Sequence, residues 1–308
     1  MCRALIYLGQ PVELERLLFK PESSLVNQAL LPRKLHMLNL AGFGMMAWDE
    51  SSREPQRPFR YATAALPVFD RNLKALTEKL TPVCVIAHVR GVAYSATSQV
   101  SDLNTHPFCF DGYSIALAHN GDLYGINVMK PDLLANIKPE LLGKIAGSTD
   151  SEWIYALILS QLEDPRAEPD ADELISAVRS ALKIIREIRA KRKIAISSSV
   201  NLFIATGKKV LAVRYCFDFG CYSMTSPEQV HEANLSYLSL WYTTGRDFGL
   251  HDGEWQMIGG EENANSLLIA SEPLTNNNTT WSEVPEYSAV FGSLLDDRPT
   301  IQVHPLNV

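Results

Sequence analysis

The chain is short of the features that would place it outside a reducing, aqueous compartment. It has only five cysteines among 308 residues: Cys2, Cys84, Cys109, Cys216 and Cys221. Their number is odd, no CxxC pair occurs and no His/Cys cluster has zinc-ligand spacing, so neither a disulfide framework nor a structural zinc is expected. No apolar run reaches bilayer-spanning length. The N-terminus, MCRALIYLGQPVELERLL, lacks a charged segment followed by a long apolar core, so it does not read as a secretory signal. Positive charge is also in deficit, with 28 Lys and Arg against 35 Asp and Glu. That removes the basic footprint a nucleic-acid binder needs. The expectation is a cytoplasmic protein with no membrane or nucleic-acid partner. Internal repeats, low-complexity tracts and linkers are missing too, which predicts one domain over 1–308.

What is present is a run of short apolar segments with helices in two clusters. Ala4–Leu8, Val83–Val89 and Ser114–Ala118 read as strands rich in apolar and β-branched residues. Pro11–Lys20 and Phe69–Leu80 carry leucines at helical spacing. Ser151–Leu162 is a strongly apolar helix, and Asp172–Lys191 an amphipathic one with Leu174, Ile175, Val178, Leu182 and Ile185 inward. The basic end of the latter, Arg186 to Lys193, reads as a solvated face whose cations suit a helix C-terminus. Beyond it the chain reads almost entirely as strand: Asn201–Thr206, Lys209–Tyr215, Leu238–Thr243, Ser266–Ser271, Tyr287–Phe291 and Thr300–His304. Many strands with two helix clusters predict two packed sheets covered by helices.

Five short segments carry residues able to do chemistry. Removal of Met1 would expose Cys2 as an N-terminal thiol with its own base. An α-amine titrates at about 7.7–8.0, so much of it is free base near neutral pH. Ile86-Ala87-His88-Val89-Arg90 is a strand that ends in a guanidinium, a planar fork matched to a carboxylate. His106, held extended by Pro107, either orients a site or is a buried structural histidine. Ala118-His119-Asn120-Gly121-Asp122 closes a strand in what looks like a turn. There an Asn amide and a Gly N–H can point two donors at one oxygen, as an oxyanion hole requires. In Gly147-Ser148-Thr149-Asp150-Ser151-Glu152, Thr149 or Asp150 can cap the following helix, and Asp150 can also receive an ammonium. Together these supply a thiol nucleophile, a two-donor hole, a fork for a carboxylate and an anion for an amine. Those are the requirements for cleaving a γ-glutamyl amide.

The set Met1-Cys2-Arg3, His88-Val89-Arg90, Thr105-His106-Pro107-Phe108, His119-Asn120-Gly121 and Ser148-Thr149-Asp150-Ser151-Glu152 resembles the class II glutamine amidotransferases. Ile269-Ala270-Ser271-Glu272-Pro273-Leu274, followed by Trp281 and Val284-Pro285, is similar to their stand-alone branch, which includes glutathione-degrading and ergothioneine-pathway γ-glutamyl hydrolases. The resemblance spans nearly the whole chain. It implies an N-terminal-nucleophile (Ntn) hydrolase fold, an α+β αββα sandwich of two antiparallel sheets flanked by helices. It implies Cys2 as nucleophile, Asn120 and Gly121 as oxyanion hole, Arg90 on the substrate α-carboxylate and Asp150 on its α-ammonium. His106 and His119 complete the expected substrate-binding set. No metal or organic cofactor is implied. Two departures stand out. Leu40-Ala41-Gly42-Phe43-Gly44 has Ala41 where the family often carries an aspartate, and Gly91-Val92-Ala93 lacks the threonine often found after the arginine, leaving Ser95 as a substitute. The leading expectation is a stand-alone γ-glutamyl amidohydrolase acting on a small molecule. Behind it come a glutaminase subunit delivering ammonia to a synthase partner, and a catalytically silent binding or scaffold protein; a homo-oligomer fits any of the three.

Overall fold

A computed structural model describes residues 2–34, 36–92, 100–218, 226–295 and 298–308. Met1, Ala93, Ser95 and Cys221 lie outside the described residues. In chain order the elements begin with β1 (Arg3–Gly9), α1 (Leu14–Leu18), β2 (Phe43–Trp48), β3 (Phe59–Thr63), α2 (Arg71–Thr77) and β4 (Cys84–Val89). They continue with β5 (Ala116–Gly121), α3 (Ile126–Leu133), α4 (Pro139–Leu142), α5 (Asp150–Ser160), α6 (Ala171–Lys191), β6 (Ser198–Ala205), β7 (Lys209–Arg214) and β8 (Cys216–Phe217). The last part holds α7 (Pro227–Tyr237), β9 (Trp241–Gly245), β10 (Asp247–His251), β11 (Glu254–Ile258), β12 (Ser266–Ala270), β13 (Ser282–Glu283), β14 (Ser288–Leu295) and β15 (Arg298–Pro305).

The first sheet runs β13-β9-β12-β1-β4-β2-β3; the second runs β15-β14-β7-β6-β5, with β8 beside β6. Pairing within both is antiparallel. Side chains alternate between the faces of a strand, so each sheet buries two different sets. Leu5, Tyr7, Met45, Val85, Ala87 and Leu268 face outward from the first sheet onto Leu14, Leu17, Leu18 and Leu73 of α1 and α2. Leu117, Leu202, Ile204, Leu211 and Val213 face outward from the second onto α5 and α6. The remaining faces meet each other through Ala4, Ile6, Leu8, Ile86, Ala116, Ala118, Phe203, Ala212 and Ile269. The layers are therefore helix, sheet, sheet, helix, as expected.

The helices form where the apolar period and caps agree. Asp170 caps α6 by accepting the Glu173 N–H at 2.8 Å, and Leu174, Ile175, Val178, Leu182 and Ile185 are all buried. Three expectations need correction. The basic end of α6 is not simply a solvated face: Arg189 is 2% exposed and donates to Ser198 Oγ and Asp218, while Lys191 and Arg192 hold Asp132. These side chains anchor the helix end to the start of β6, to the residue after β8 and to α3. The region after α6 contains a helix, α7, which starts with Ser226 capping the Gln229 N–H and Pro227 at its first position. Finally, His119-Asn120-Gly121 is not a turn. It is the end of β5, paired with Leu202, Asn201 and Val200 of β6. The ladder outweighs the turn preference of Asn-Gly because β6 offers partners along its full length.

One glycine sets how closely the segment before β5 approaches the first sheet. A Cβ on Gly44 of β2 would lie 2.2 Å from the His106 carbonyl oxygen. Gly44→Ala is expected to cost about 1–3 kcal/mol through forced backbone movement, lowering the melting temperature by several degrees. An unchanged melting curve would mean that the Thr105–His106 segment is not held against β2.

Candidate active site

Strand parity assembles the site. In β1 the residues facing between the sheets are Ala4, Ile6 and Leu8; in β4 they include Cys84 and Ile86; in β12, Leu267 and Ile269; in β5, Ala116 and Ala118. Two residues further along the same faces stand Cys2, His88 then Arg90, Ser271 and Asn120. Because β1 runs antiparallel to both β4 and β12, its start lies beside their ends, with Arg3 opposite Val89 and Leu5 opposite Ala270. The hydrophobic interlayer thus ends in a polar cluster.

Cys2 is 6% exposed. Its Sγ lies 3.3 Å from the Gly91 N–H, which donates to it, and 3.4 Å from the Gly91 carbonyl. Burial pushes the thiol above its ordinary range, while the Gly91 N–H and the Arg90 charge oppose that shift. A thiol raised this way needs a base to become a nucleophile. Arg90 is buried at the strand end, its backbone clamped by Gly42 O and the Ala41 N–H at 2.8 and 2.9 Å. Burial lowers its pKa, and the thiol and Asp150 push it back up. Cys2, Arg90 and Asp150 therefore share one electrostatic neighbourhood. Ala41, where the family often carries a carboxylate, contributes a backbone donor to Arg90.

Asn120 and Gly121 stand on the edge strand of the second sheet. The Asp122 N–H turns to Ser199 O in β6, whereas the Leu117 N–H turns the opposite way to Phe108 O. Donors alternate along an antiparallel strand, so the Gly121 N–H points to the side away from β6. Gly121 is tightly enclosed on its other side: a Cβ there would lie 2.0 Å from Ser199 O and 2.4 Å from His119 Nε2. Glycine is required here by the protein's own packing. The Asn120 amide is 3% exposed, and its Nδ2 lies 2.9 Å from Ser271 Oγ.

Asp150 opens α5 without capping it, and the N-cap Thr149 makes no side-chain bond either, so the capping reading of this pair is corrected. Asp150 Oδ2 instead accepts the Leu123 N–H at 2.6 Å, which ties down the chain just past Gly121. Closure before the helix comes from Glu152, whose carboxylate accepts the Ala146 and Gly147 N–H groups at 3.0 and 2.9 Å. Asn104 bonds Ser148 through both its amide atoms, at 2.8 and 3.0 Å.

The two predicted histidines lie behind these groups. His119 is on the helix-facing side of β5, its Nδ1 3.0 Å from Ser151 Oγ and 3.9 Å from Asp150, its Nε2 3.2 Å from Ser199 O. His106 is 3% exposed and lies between His88, whose ring is tilted against it, and Phe108, which it meets edge-on, with centroids 4.2 and 4.6 Å apart. No ring nitrogen of His88 or His106 has a hydrogen-bond partner in normal geometry among the described residues. Burial, then the Arg90 charge, lowers His88 to about 3; burial, then His88 itself, drives His106 well down. Both rings are neutral at physiological pH. Among the described residues no group of three or more His, Cys, Asp or Glu side chains is placed to hold a metal.

Sequence reasoning assigned no role to three residues that support the site. Arg3 donates to Cys2 O at 2.9 Å and lies 3.5 Å from Glu272. Glu272 also accepts the Arg33 and Lys34 N–H groups at 3.0 and 2.8 Å, pinning that loop beside Cys2. Ser271 accepts the Ala4 N–H at 3.0 Å. The signal was available in the alternation of β12, which puts Ser271 on the same face as Leu267 and Ile269.

The fold has solved counterparts. It is similar to a glutamine aminotransferase class-II domain protein from Silicibacter pomeroyi, with a TM-score of 0.58, 16% identity and coverage of 99% of this chain and 100% of that one. It also matches the glutamine phosphoribosylpyrophosphate amidotransferase of B. subtilis, with a TM-score of 0.54 and 16% identity over 100% of this chain and 50% of that one. These are Ntn-hydrolase domains, and the sandwich described above is of that type. Residues 41–224 match the family model of the class-II glutamine amidotransferases. A probable glutamine amidotransferase of Saccharomyces cerevisiae, DUG3, is 33% identical over 327 residues, 99% of this chain and 84% of that protein. The chain belongs to the class II glutamine amidotransferases.

The neutral histidines give the protein a testable acid response. An unfolded histidine titrates near 6.5, whereas His88 in the folded state titrates only at about 3. Between these values the unfolded chain binds the extra proton, so stability is complete above about 6.5 and falls as the pH drops toward 3. One such group contributes at most ~1.4 kcal/mol per pH unit. Urea unfolding at pH 7 and pH 5 is expected to show lower stability at pH 5, with a smaller loss in His88→Phe. Equal losses in both proteins would mean that folded His88 titrates normally.

Proposed function

We propose that the chain hydrolyses a γ-glutamyl amide, glutamine or a γ-glutamyl conjugate, through a thioester on Cys2. The observation that carries this reading is the meeting of Cys2, Arg90, Asp150 and the Asn120–Gly121 pair at one end of the interlayer. In this reading Met1 is removed and the Cys2 α-amine takes the thiol proton. The sulfur attacks the amide carbon, and the oxyanion is held by the Asn120 amide and the Gly121 N–H. Collapse breaks the C–N bond as the α-ammonium returns its proton to the leaving amine. Water, deprotonated by the same amine, then attacks the thioester, releasing glutamate and the thiol. Arg90 takes the substrate α-carboxylate through its planar fork, and Asp150 the α-ammonium. His119 and His106 act behind the site: His119 steadies Ser151 and Asp150, and His106 backs Arg90 through the His88 ring.

The raised thiol supports the need for an adjacent base, and the depth of Arg90 supports recognition of a fully desolvated carboxylate. The test uses a γ-glutamyl amide and the matching glutaryl amide, which lacks only the α-amine. Cys2→Ala should abolish turnover of both with an unchanged circular dichroism spectrum. Asp150→Ala should lower kcat/KM for the γ-glutamyl amide by about 10²-fold or more, the scale of an uncompensated buried charge. The glutaryl amide should be a poor substrate of the wild type and lose far less on the same mutation. Equal losses for both substrates would leave Asp150 a structural role alone, through its contacts with Leu123, Ser151 and His119.

A further inference from the structure

The Asn120 side chain has a hydrogen-bond pattern that does not close. Ser271 Oγ accepts the Ala4 N–H at 3.0 Å, and Asn120 Nδ2 lies 2.9 Å from the same oxygen. Asn120 Oδ1, on the other arm of the amide, is buried and has no partner. A hydroxyl carries one donor hydrogen and two acceptor lone pairs. With two N–H groups donating to it, Ser271 Oγ has both lone pairs used and its own proton unspent, while a buried carbonyl nearby lacks a donor. A buried carbonyl without a partner is costly.

A half-turn of the amide about its last torsion pairs both the hydroxyl proton and the carbonyl, and leaves the amide NH₂ as the group that awaits a partner. The amide has nearly the same shape either way. After the turn the Ser271 O–H donates to Asn120 Oδ1 while its oxygen still accepts the Ala4 N–H. The Asn120 NH₂ then occupies the position of the unpaired oxygen, where both its hydrogens are available. Backbone bonds hold Ser271 rigidly in place: its N–H donates to Ala4 O at 2.9 Å, so Ser271 and Ala4 are joined in both directions. Ala4 is two residues from Cys2 on the same strand face. The hydroxyl is thus referenced to the strand that carries the thiol.

We propose that Ser271 is the positioning residue of the oxyanion hole: by donating its hydroxyl proton to Asn120 Oδ1 it selects the amide orientation in which Nδ2 serves the substrate oxygen. The inference rests on the proposed γ-glutamyl hydrolysis. With Nδ2 on Ser271 instead, the hole would have only the Gly121 N–H. Ser271 touches no substrate and acts through Asn120 alone. It also couples the two sheets at the site, since Asn120 lies on the second and Ser271 at the end of the first.

The test is a double-mutant cycle of Ser271→Ala and Asn120→Ala with a γ-glutamyl amide. Loss of an oxyanion donor lowers kcat by about 10²–10³. Ser271→Ala is expected to lower kcat at least ~10-fold, within that limit, and to leave KM nearly unchanged. In the Asn120→Ala background it should have almost no further effect, and Ser271→Thr, which keeps the hydroxyl, should restore most of kcat. Multiplicative losses, or a loss seen in KM alone, overturn the assignment. If Ser271→Ala does not fold, Ser271→Cys replaces it; its weak S–H donor should give an intermediate kcat, and full wild-type kcat overturns the assignment. Absence of any γ-glutamyl turnover by the wild type overturns the hydrolase reading and this inference with it; turnover with independent effects removes only the inference.

Discussion

The site depends on the antiparallel ladder that grips β1 from both sides. β12 pairs with Leu5 to Gly9 and β4 with Arg3 to Leu8, so the extreme N-terminal strand lies inside the first sheet rather than at its edge. Terminal residues are usually the loosest part of a chain. Here the ladder carries Cys2 into the space between the sheets and brings Arg90 and Gly91 alongside. It also orients Ser271 toward Asn120 on the opposing sheet. Shift β1 by one residue and the thiol would point to α1 and α2 instead.

Burial then decides the electrostatics. The thiol is raised, His88 and His106 are lowered, and Arg90 is lowered, each chiefly by loss of water. Neutral histidines behind a cation cost less than charged ones would, and their rings fill volume without adding like charge to Arg90. Arg90 and Asp150 act on each other and on the thiol. In the proposed reading, a substrate end with one carboxylate and one ammonium would replace the lost water with matched charge. Arg3 and Glu272 form a second buried pair, used to hold Cys2 O and the loop at Arg33 and Lys34.

Much of this was legible in the sequence, for identifiable reasons. α6 is legible because its apolar periodicity is strong, and α5 because its apolar run is long and unbroken. The positions of Cys2, Arg90, Asn120 and Asp150 could be proposed because each sits in a short motif with a chemical purpose. β2 went unread because FGMMAW is buried on both faces and shows no alternation. α7 was missed because its apolar residues make no clear stripe, although the Ser226-Pro227 start was a usable signal. The Asn-Gly pair was misread as a turn because a local preference says nothing about a distant partner such as β6. The support from Ser271 and Glu272 is a product of register between segments more than 230 residues apart, as the Ser271–Ala4 and Glu272–Lys34 bonds show.

The central claim is that Cys2 is a nucleophile aimed at the side-chain carbonyl of a γ-glutamyl group held by Arg90. The direct measurement is peptide mass spectrometry after incubation with a diazoketone analogue of glutamine, which alkylates a thiol placed at that carbonyl. The account predicts one adduct, on a peptide beginning at Cys2, blocked by excess glutamine and absent in Arg90→Ala. An adduct on Cys84, Cys109 or Cys216 with Cys2 unmodified, or labelling of Cys2 that Arg90→Ala leaves unchanged, would contradict it.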